Sequence, residues 1–247
     1  MPGSDQCGLC GAELPACPTE IVQGRAYHHC SVCDLLQMAQ VDRLCTKAEE
    51  ARYLKHDNST RTKGYTAFLE RLMEPVIHKL DQRGEGQGKS RGLDFGSGPY
   101  PMLAELMAER GYPLEIYDPL FAPRDRAWFL DHPFDFILCC ETAEHFYRPF
   151  DEFSFMVKLL APQGFIAIMT SLRRADSKIT TWHYARDETH VALYSKKTMG
   201  WIAGHFGFCI SFPAQDVVFL DTPRATSVVH IGHWPCFPPS PDAGMRV

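Results

Sequence analysis

The ten residues from Arg91 to Tyr100, RGLDFGSGPY, constrain the fold of this chain more than any other stretch. Leu93 and Phe95 flank Asp94 as in a short buried strand, and Gly96 and Gly98 then open a turn without side chains that would bar a ligand from the backbone. Pro99 and Pro101 pre-set φ for the first turn of a helix written MLAELMAER. Strand, glycine turn and helix in that order begin the nucleotide-binding half of a doubly wound sheet. The predicted fold is therefore α/β and Rossmann-like.

Further elements follow in the order such a sheet needs. LEIYD (114–118) reads as the second strand, with Asp118 twenty residues beyond Gly98. A carboxylate there can accept hydrogen bonds from both hydroxyls of a ribose, or it can simply cap the next element. FDFILCC (134–140) and FIAIMTS (165–171) read as buried strands, the second preceded by a helix FSFMVKLL and a turn APQG. Val217–Leu220 and Ser227–Ile231 read as late strands. From Thr46 to Leu80 the period is helical through Tyr53, Leu54, Phe68, Leu69, Leu72 and Val76, and Pro75 is expected to bend or interrupt the second part. Tyr53, His56, Asn58 and Tyr65 form a polar and aromatic group that either lines a cofactor site or belongs to the surface. Residues 81–90, DQRGEGQGKS, read as a flexible linker. Its GKS is not a phosphate loop, because the first glycine required falls on Arg83 and the stretch precedes a strand instead of following one.

Cys7-Gly-Leu-Cys10 and Cys30-Ser-Val-Cys33 are two CxxC pairs nineteen residues apart. Four thiolates at this spacing suit a tetrahedral zinc ion, and a site closed by four protein ligands is structural. Cys17, His28 and His29 are substitute ligands that the paired cysteines make unnecessary. Five basic residues against eight acidic ones between Met1 and Asp57 oppose a phosphate-binding role for this module and favour a scaffold or a lid.

The whole chain of 247 residues, 45% hydrophobic and 22% charged, can bury one ample core with a small accessory module. A formal net charge of −5 argues against a general nucleic-acid binder. No run approaches the roughly 18–20 consecutive apolar residues of a membrane span. The stretch MPGSDQCGLC lacks the basic and apolar regions of a signal peptide, so a cytoplasmic protein is expected, with its ten cysteines as thiols or metal ligands. The expected division is a zinc-binding module (1–45), a helical lid and linker (46–90), a core (91–234) and a proline-rich, disordered tail (235–247).

LDFGSGP (93–99), IYDP (116–119), FDFILCCETAEHF (134–146) and LLAPQGFIAIMT (159–170) arrive in the order found in the class I S-adenosylmethionine-dependent methyltransferases, which the chain resembles over about residues 60–230. The resemblance implies a seven-stranded type of sheet. It implies S-adenosylmethionine bound by Asp94, Gly96, Ser97 and Gly98, with Asp118 and Pro119 at the ribose and Glu141 beside the methionine or sulfonium, and Tyr65 is the further cofactor candidate from the polar and aromatic group. Tyr100 stands where the family more often has a third glycine, and only residues 119–133 separate the second strand from the next, so the third strand is abbreviated. Asp125 or Asp131 is left to meet the adenine.

TWHYARDETHVALYS (181–195) resembles a segment of methyltransferases acting on nucleotide-linked sugars, in which a cysteine-rich zinc module also precedes the catalytic domain. By that resemblance His190, in the pattern H-x-x-x-Y-S with Tyr194 and Ser195, is the base. Asp187 replaces a tyrosine of those enzymes and would orient His190 or the substrate, while His145 is the second candidate. His183, Tyr184 and Arg186 are expected to shape the acceptor pocket, with Arg186 or Arg173 meeting an anionic group. The expected function is O- or C-methylation of a small molecule, sugars and natural-product precursors among them. The rivals are an RNA or protein methyltransferase that recognises its target through the zinc module, and a non-catalytic cofactor-binding scaffold.

Overall fold

The computed structural model describes residues 6–55, 61–86, 88–175 and 178–223. His56, Asn58, the expected strand Ser227–Ile231 and the expected tail lie outside these.

Two sheets organise the chain. The larger has six strands among the described residues: β4 (Gly92–Phe95), β5 (Leu114–Tyr117), β6 (Phe134–Cys140), β7 (Leu160–Met169), β9 (Cys209–Ala214) and β10 (Val217–Asp221). Their order in space is β5-β4-β6-β7-β10-β9. The first four are parallel, and β10 runs antiparallel to both β7 and β9. The seventh strand implied between β5 and β6 is not formed. The connection is too short for a crossover and strand together, and holds instead an Asp118–Ala122 bridge and the five-residue helix α4 (Arg126–Leu130).

Alternate residues of β6 face opposite layers, and both faces are covered, as a parallel sheet requires. Phe136 and Leu138 pack with α2 (Lys63–Gln82) and α3 (Met102–Glu109). Ile137 and Cys139 pack with α5 (Pro149–Leu159) and α6 (Lys196–Phe206). Each such buried side chain contributes roughly 1.5–3 kcal/mol. Pro75 does not interrupt α2, contrary to its sequence signal. The ring forgoes one hydrogen bond, and Leu72, Met73, Val76 and Leu80 on the buried face anchor the helix on both sides of it. Nor is residue 83 slack linker: Arg83 donates to Asp221 and to the carbonyl of Gln163. The expected APQG turn falls within β7, with Gln163 at φ 66°.

The smaller sheet is antiparallel and consists of β1 (Glu20–Val22), β2 (Arg25–His29), β3 (Leu36–Met38) and β8 (Ala192–Leu193), paired in that order. Its last strand comes from the segment between β7 and α6, so the cysteine-bearing module is tied into the core by backbone pairing. Helix α1 (Thr46–Tyr53) leads from the module toward α2. Among the described residues no helix is long and apolar enough to cross a membrane.

Candidate active site

The chain leaves β4 for β5 on one side and returns to β6 on the other, so the sheet has its switch point at the carboxyl ends of β4 and β6, where doubly wound sheets bind ligands. A cavity of about 810 Å³ opens there. It is lined by Gly96, Ser97, Gly98, Asp118, Pro119, Glu141, Tyr65, His145, Asp187 and His190, which gathers most of the sequence candidates at one place. Asp94 lies just beneath the lining and is 2% exposed.

The glycine turn is built for more than openness. Gly96 has φ 86°, and a β-carbon on it would lie 2.1 Å from Thr142 Cγ2, so this residue serves the contact between the β4 and β6 ends. Gly98, at φ 66°, would point a β-carbon into open space. Both oxygens of Asp118 are engaged by backbone, Oδ2 accepting from Gly98 N at 3.0 Å and Oδ1 from Leu120 and Phe121 N–H. Asp118 therefore caps its own turn, and a ribose would use its remaining lone pairs. Asp94 Oδ2 and Ser97 Oγ, both buried, make no hydrogen bond. Burial, then the neighbouring Asp118, pushes the Asp94 carboxyl up to about 7. Glu141 holds a left-handed φ of 46° at the end of β6, a costly conformation for a side-chain-bearing residue. Burial, followed by Glu144 and Asp216, pushes its carboxyl to about 9.

In the same cavity, Glu144, His145 and His190 bring one oxygen and two imidazole donors within 4.8 Å of one another. His190 Nδ1 donates to the carbonyl of Tyr184 at 2.6 Å, and His145 Nδ1 to that of Thr189 at 3.0 Å, because a carbonyl can only accept. Each neutral ring therefore carries its lone pair on Nε2. Burial lowers the His190 pKa, which favours that neutral form. Glu144 is fully buried, with Oε2 accepting from Thr170 Oγ1 at 2.9 Å, and Tyr184 OH completes the relay 3.0 Å from that hydroxyl. Its Oε1 makes no hydrogen bond and lies 3.9 Å from His145 Nε2.

The H-x-x-x-Y-S pattern divides its labour. Tyr194 OH donates to the carbonyl of Ala143 at 3.0 Å, steadying the turn that carries Glu144. Ser195 caps α6 and donates to Asp34. The Tyr184 carbonyl accepts from the His190 ring, and Asp187, which also lines the cavity, accepts from Arg52, Thr189 N and Thr189 Oγ1. Burial opposes ionisation of Asp187, but the two Thr189 hydrogen bonds, His190 and Arg52 outweigh it and hold the carboxyl at about 2. Arg173 stands outside the cavity lining and donates to Asp34 of the cysteine module at 2.7 Å. Arg186, Asp125 and Asp131 stand outside the cavity lining, with Asp125 capping α4. Sequence reasoning missed Glu144 and Thr170, whose importance rests on burial without full pairing. It also missed Phe121, which lines the cavity beside Tyr53.

The two CxxC loops have the same hydrogen-bonded form. Cys7 N donates to Ala12 O and Gly11 N to Cys7 O, while Cys30 N donates to Leu35 O and Asp34 N to Cys30 O. Gly11 and Asp34 occupy equivalent left-handed positions, φ 72° and 64°. All four sulfurs lie within 4.8 Å of one another, with Cys7–Cys33 at 3.5 Å and Cys10–Cys30 at 3.4 Å. A zinc tetrahedron with bonds of about 2.3 Å places sulfurs roughly 3.8 Å apart, so the donor set fits that ion. The hydrogen bond from Cys33 lowers Cys7 while burial raises Cys10, and four thiolates this close repel one another unless a cation sits among them. The substitutes are used elsewhere: His28 meets Pro15 O, His29 pairs with Asp34, and Cys17 is exposed.

A methyltransferase domain family model matches residues 65–210, more than half of the chain. No curated protein matches the sequence. Among solved structures, an O-methyltransferase family protein from Burkholderia thailandensis is 15% identical with a TM-score of 0.45, over 71% of this chain and 62% of its own. The chain thus spans less than two thirds of that protein. A 1,6-didemethyltoxoflavin N1-methyltransferase from the same organism, solved with its substrate and S-adenosylhomocysteine, is 16% identical with a TM-score of 0.43, over 85% of this chain and 100% of its own. Magnesium protoporphyrin IX methyltransferase from Synechocystis PCC 6803, solved with SAH, is 13% identical with a TM-score of 0.44, over 72% of this chain and 95% of its own.

Proposed function

This chain belongs to the methyltransferase domain family, and from that membership we propose that it transfers a methyl group from S-adenosylmethionine to oxygen or carbon of a small-molecule acceptor. The observation that carries the donor reading is the buried, unpaired Asp94 oxygen beside the glycine turn. An acid so placed suits the ammonium of the methionine portion. Ser97 Oγ, also unpaired, and the open side of Gly98 fit the same ligand. Tyr65, Asp118, Pro119 and Glu141 complete this half of the cavity. When bound, the donor supplies an electrophilic methyl group on sulfur with a neutral thioether as leaving group.

The chain's own residues then align the nucleophile, exclude water and see to its proton. Proton loss is assigned to the cluster of Glu144, His145 and His190, which lines the same cavity as the glycine turn. Tyr53, Phe121, Tyr147 and His183 surround that side and favour an acceptor with apolar or planar surface as well as a hydroxyl, such as a natural-product precursor or a sugar. The cysteine module is assigned one structural zinc ion at Cys7, Cys10, Cys30 and Cys33. Its pairing through β3 and β8 supports a scaffold role rather than macromolecular recognition.

Calorimetry with S-adenosylhomocysteine tests the donor site, and transfer of labelled methyl across a panel of hydroxylated small molecules tests catalysis. Binding without transfer to any acceptor would leave a cofactor-binding scaffold, and no binding would overturn the reading.

A further inference from the structure

We propose that Glu144, His145 and His190 hold a divalent first-row transition-metal ion in the acceptor half of the cavity. The site would be distinct from the four-cysteine centre in both ligands and purpose.

The first support is geometric. Donor atoms from the three side chains lie within 4.8 Å of one another, and bonds of about 2.0–2.2 Å to one ion set such atoms roughly 3–3.5 Å apart. Movement of the Glu144 carboxylate, whose Oε1 is unpaired, would close that difference. The second is the state of the ligands. Both imidazoles are fixed through Nδ1 to backbone carbonyls, so each presents an Nε2 lone pair, the arrangement that metal-bound histidines adopt.

The third support is independent of the histidines. Glu144 is 0% exposed, and its Oε1 makes no hydrogen bond although Oε2 is served by Thr170 and, behind it, Tyr184. A buried carboxylate with one idle oxygen is costly unless a cation meets it. His145 Nε2 stands 3.9 Å away, too far for a hydrogen bond. A metal ion between these atoms satisfies the idle oxygen and both lone pairs at once.

Two imidazoles and one carboxylate favour manganese, iron, cobalt, nickel or zinc over magnesium or calcium, and three protein ligands leave coordination positions open. All three residues line the cavity, so the open positions face the acceptor. The role of the ion, though not its presence, rests on the methyl-transfer reading. An acceptor hydroxyl that coordinates it gives its proton to solvent more readily. The oxygen then forms the bond to the methyl carbon, the carbon–sulfur bond breaks, and its electron pair stays on sulfur. His190 acts in that state as a ligand, and coordination takes over the work of a base.

The test uses the full chain with zinc already in the four-cysteine site. Manganese(II), which thiolates hold poorly, is titrated and the free ion followed by electron paramagnetic resonance; cobalt(II) is read by absorption, where thiolate charge-transfer bands would betray exchange at the cysteines. One bound ion per chain without those bands is expected. Glu144→Gln and His145→Ala should each weaken it more than about 100-fold, and Thr170→Val, acting through Glu144, by roughly 10-fold. S-adenosylhomocysteine affinity in each variant reports folding, and the wild-type stoichiometry decides if a variant fails to fold. A wild-type chain that takes neither ion, or folded Glu144→Gln and His145→Ala variants that bind as tightly, would overturn the site. Nucleoside binding without metal binding removes the ion and leaves the transferase reading. Metal binding without nucleoside binding does the reverse.

Discussion

The phenolic hydroxyl of Tyr27 donates to the backbone carbonyl of His190 at 3.0 Å. Tyr27 sits on β2 of the cysteine module and is fully buried, and burial raises its phenol to about 12, so it stays a donor. One residue on, Val191 accepts from Met38 N at 2.8 Å and donates to Glu144 O at 2.9 Å. The module's sheet is thus the back wall of the loop that carries the acceptor-side residues. Hydrogen bonds join the cysteine module to the loop that carries His190 and to the turn that carries Glu144.

Removing the zinc ion proposed for the four cysteines should therefore abolish turnover before it abolishes donor binding, because the glycine turn belongs to the other sheet. Chelation or Cys33→Ser, followed by S-adenosylhomocysteine calorimetry and a turnover assay, separates the two. The milder Tyr27→Phe should cost about 1 kcal/mol of stability and lower kcat more than it changes donor affinity. Full turnover in a zinc-free chain would show that the module does not hold the loop.

His190→Ala should leave donor affinity within about twofold and reduce turnover by roughly 10²–10⁴-fold. The ring lines the cavity, donates through Nδ1 to Tyr184 and packs against the rings of Tyr184 and His145, so its loss removes a reactive lone pair from the cavity wall. A variant with wild-type turnover removes His190 from the chemistry in any role.

The strands β4, β5, β6, β7 and β10 and the glycine turn were legible in the sequence because short apolar runs, glycines and an acid at fixed spacing are local signals, whereas β9, with alternating exposure, and the short strands β1 to β3 were not. The four-cysteine group was legible for the same reason. What could not be read was the choice of partner among polar groups. Asp187 and Arg173 look like substrate residues by type, yet Arg52 and Asp34 claim them across 135 and 139 residues of chain. Glu144 looked ordinary because nothing local says that one of its oxygens will be buried without a partner. β8 escaped notice because a two-residue strand is made by its neighbour β3, not by its own pattern.

Donor affinity should depend on pH through Asp94. Its carboxyl is raised from 3.8 to about 7, so the folded chain holds a proton there that the unfolded chain loses, and stability falls as pH rises across that window. The donor's ammonium favours the ionised acid. Affinity for S-adenosylhomocysteine should therefore rise toward tenfold per pH unit below about 7 and level off above it. Calorimetry at about pH 6 in buffers of different ionisation enthalpy should detect proton release on binding. Asp94→Asn should bind weakly and without the slope; a pH-independent wild type would show that this acid does not meet the ammonium.

Asp187 works in the opposite sense. Its carboxyl is depressed from 3.8 to about 2, so its contribution is complete above the unfolded value and is lost as pH falls through the folded one. Asp187→Asn should cost about 2 kcal/mol at pH 7 and almost nothing near pH 2, read from denaturant unfolding at both. An equal cost at both pH values would mean that shape, not charge, makes this residue matter.

The two glycines of the turn should fail differently. Gly98→Ala strains a left-handed φ of 66° but meets no atom, so roughly 1–2 kcal/mol of stability is at stake. Its new methyl points into the donor half of the cavity and should weaken S-adenosylhomocysteine binding by much more than that strain implies. Gly96→Ala adds to a φ of 86° a collision with Thr142 Cγ2, Oγ1 and Cβ, so the ends of β4 and β6 must part. It should destabilise the fold by several kcal/mol, as overpacking and backbone strain combine. Thermal unfolding beside nucleoside calorimetry distinguishes them: a stable Gly96→Ala that merely binds poorly would move this glycine from the architecture of the sheet to the surface of the ligand.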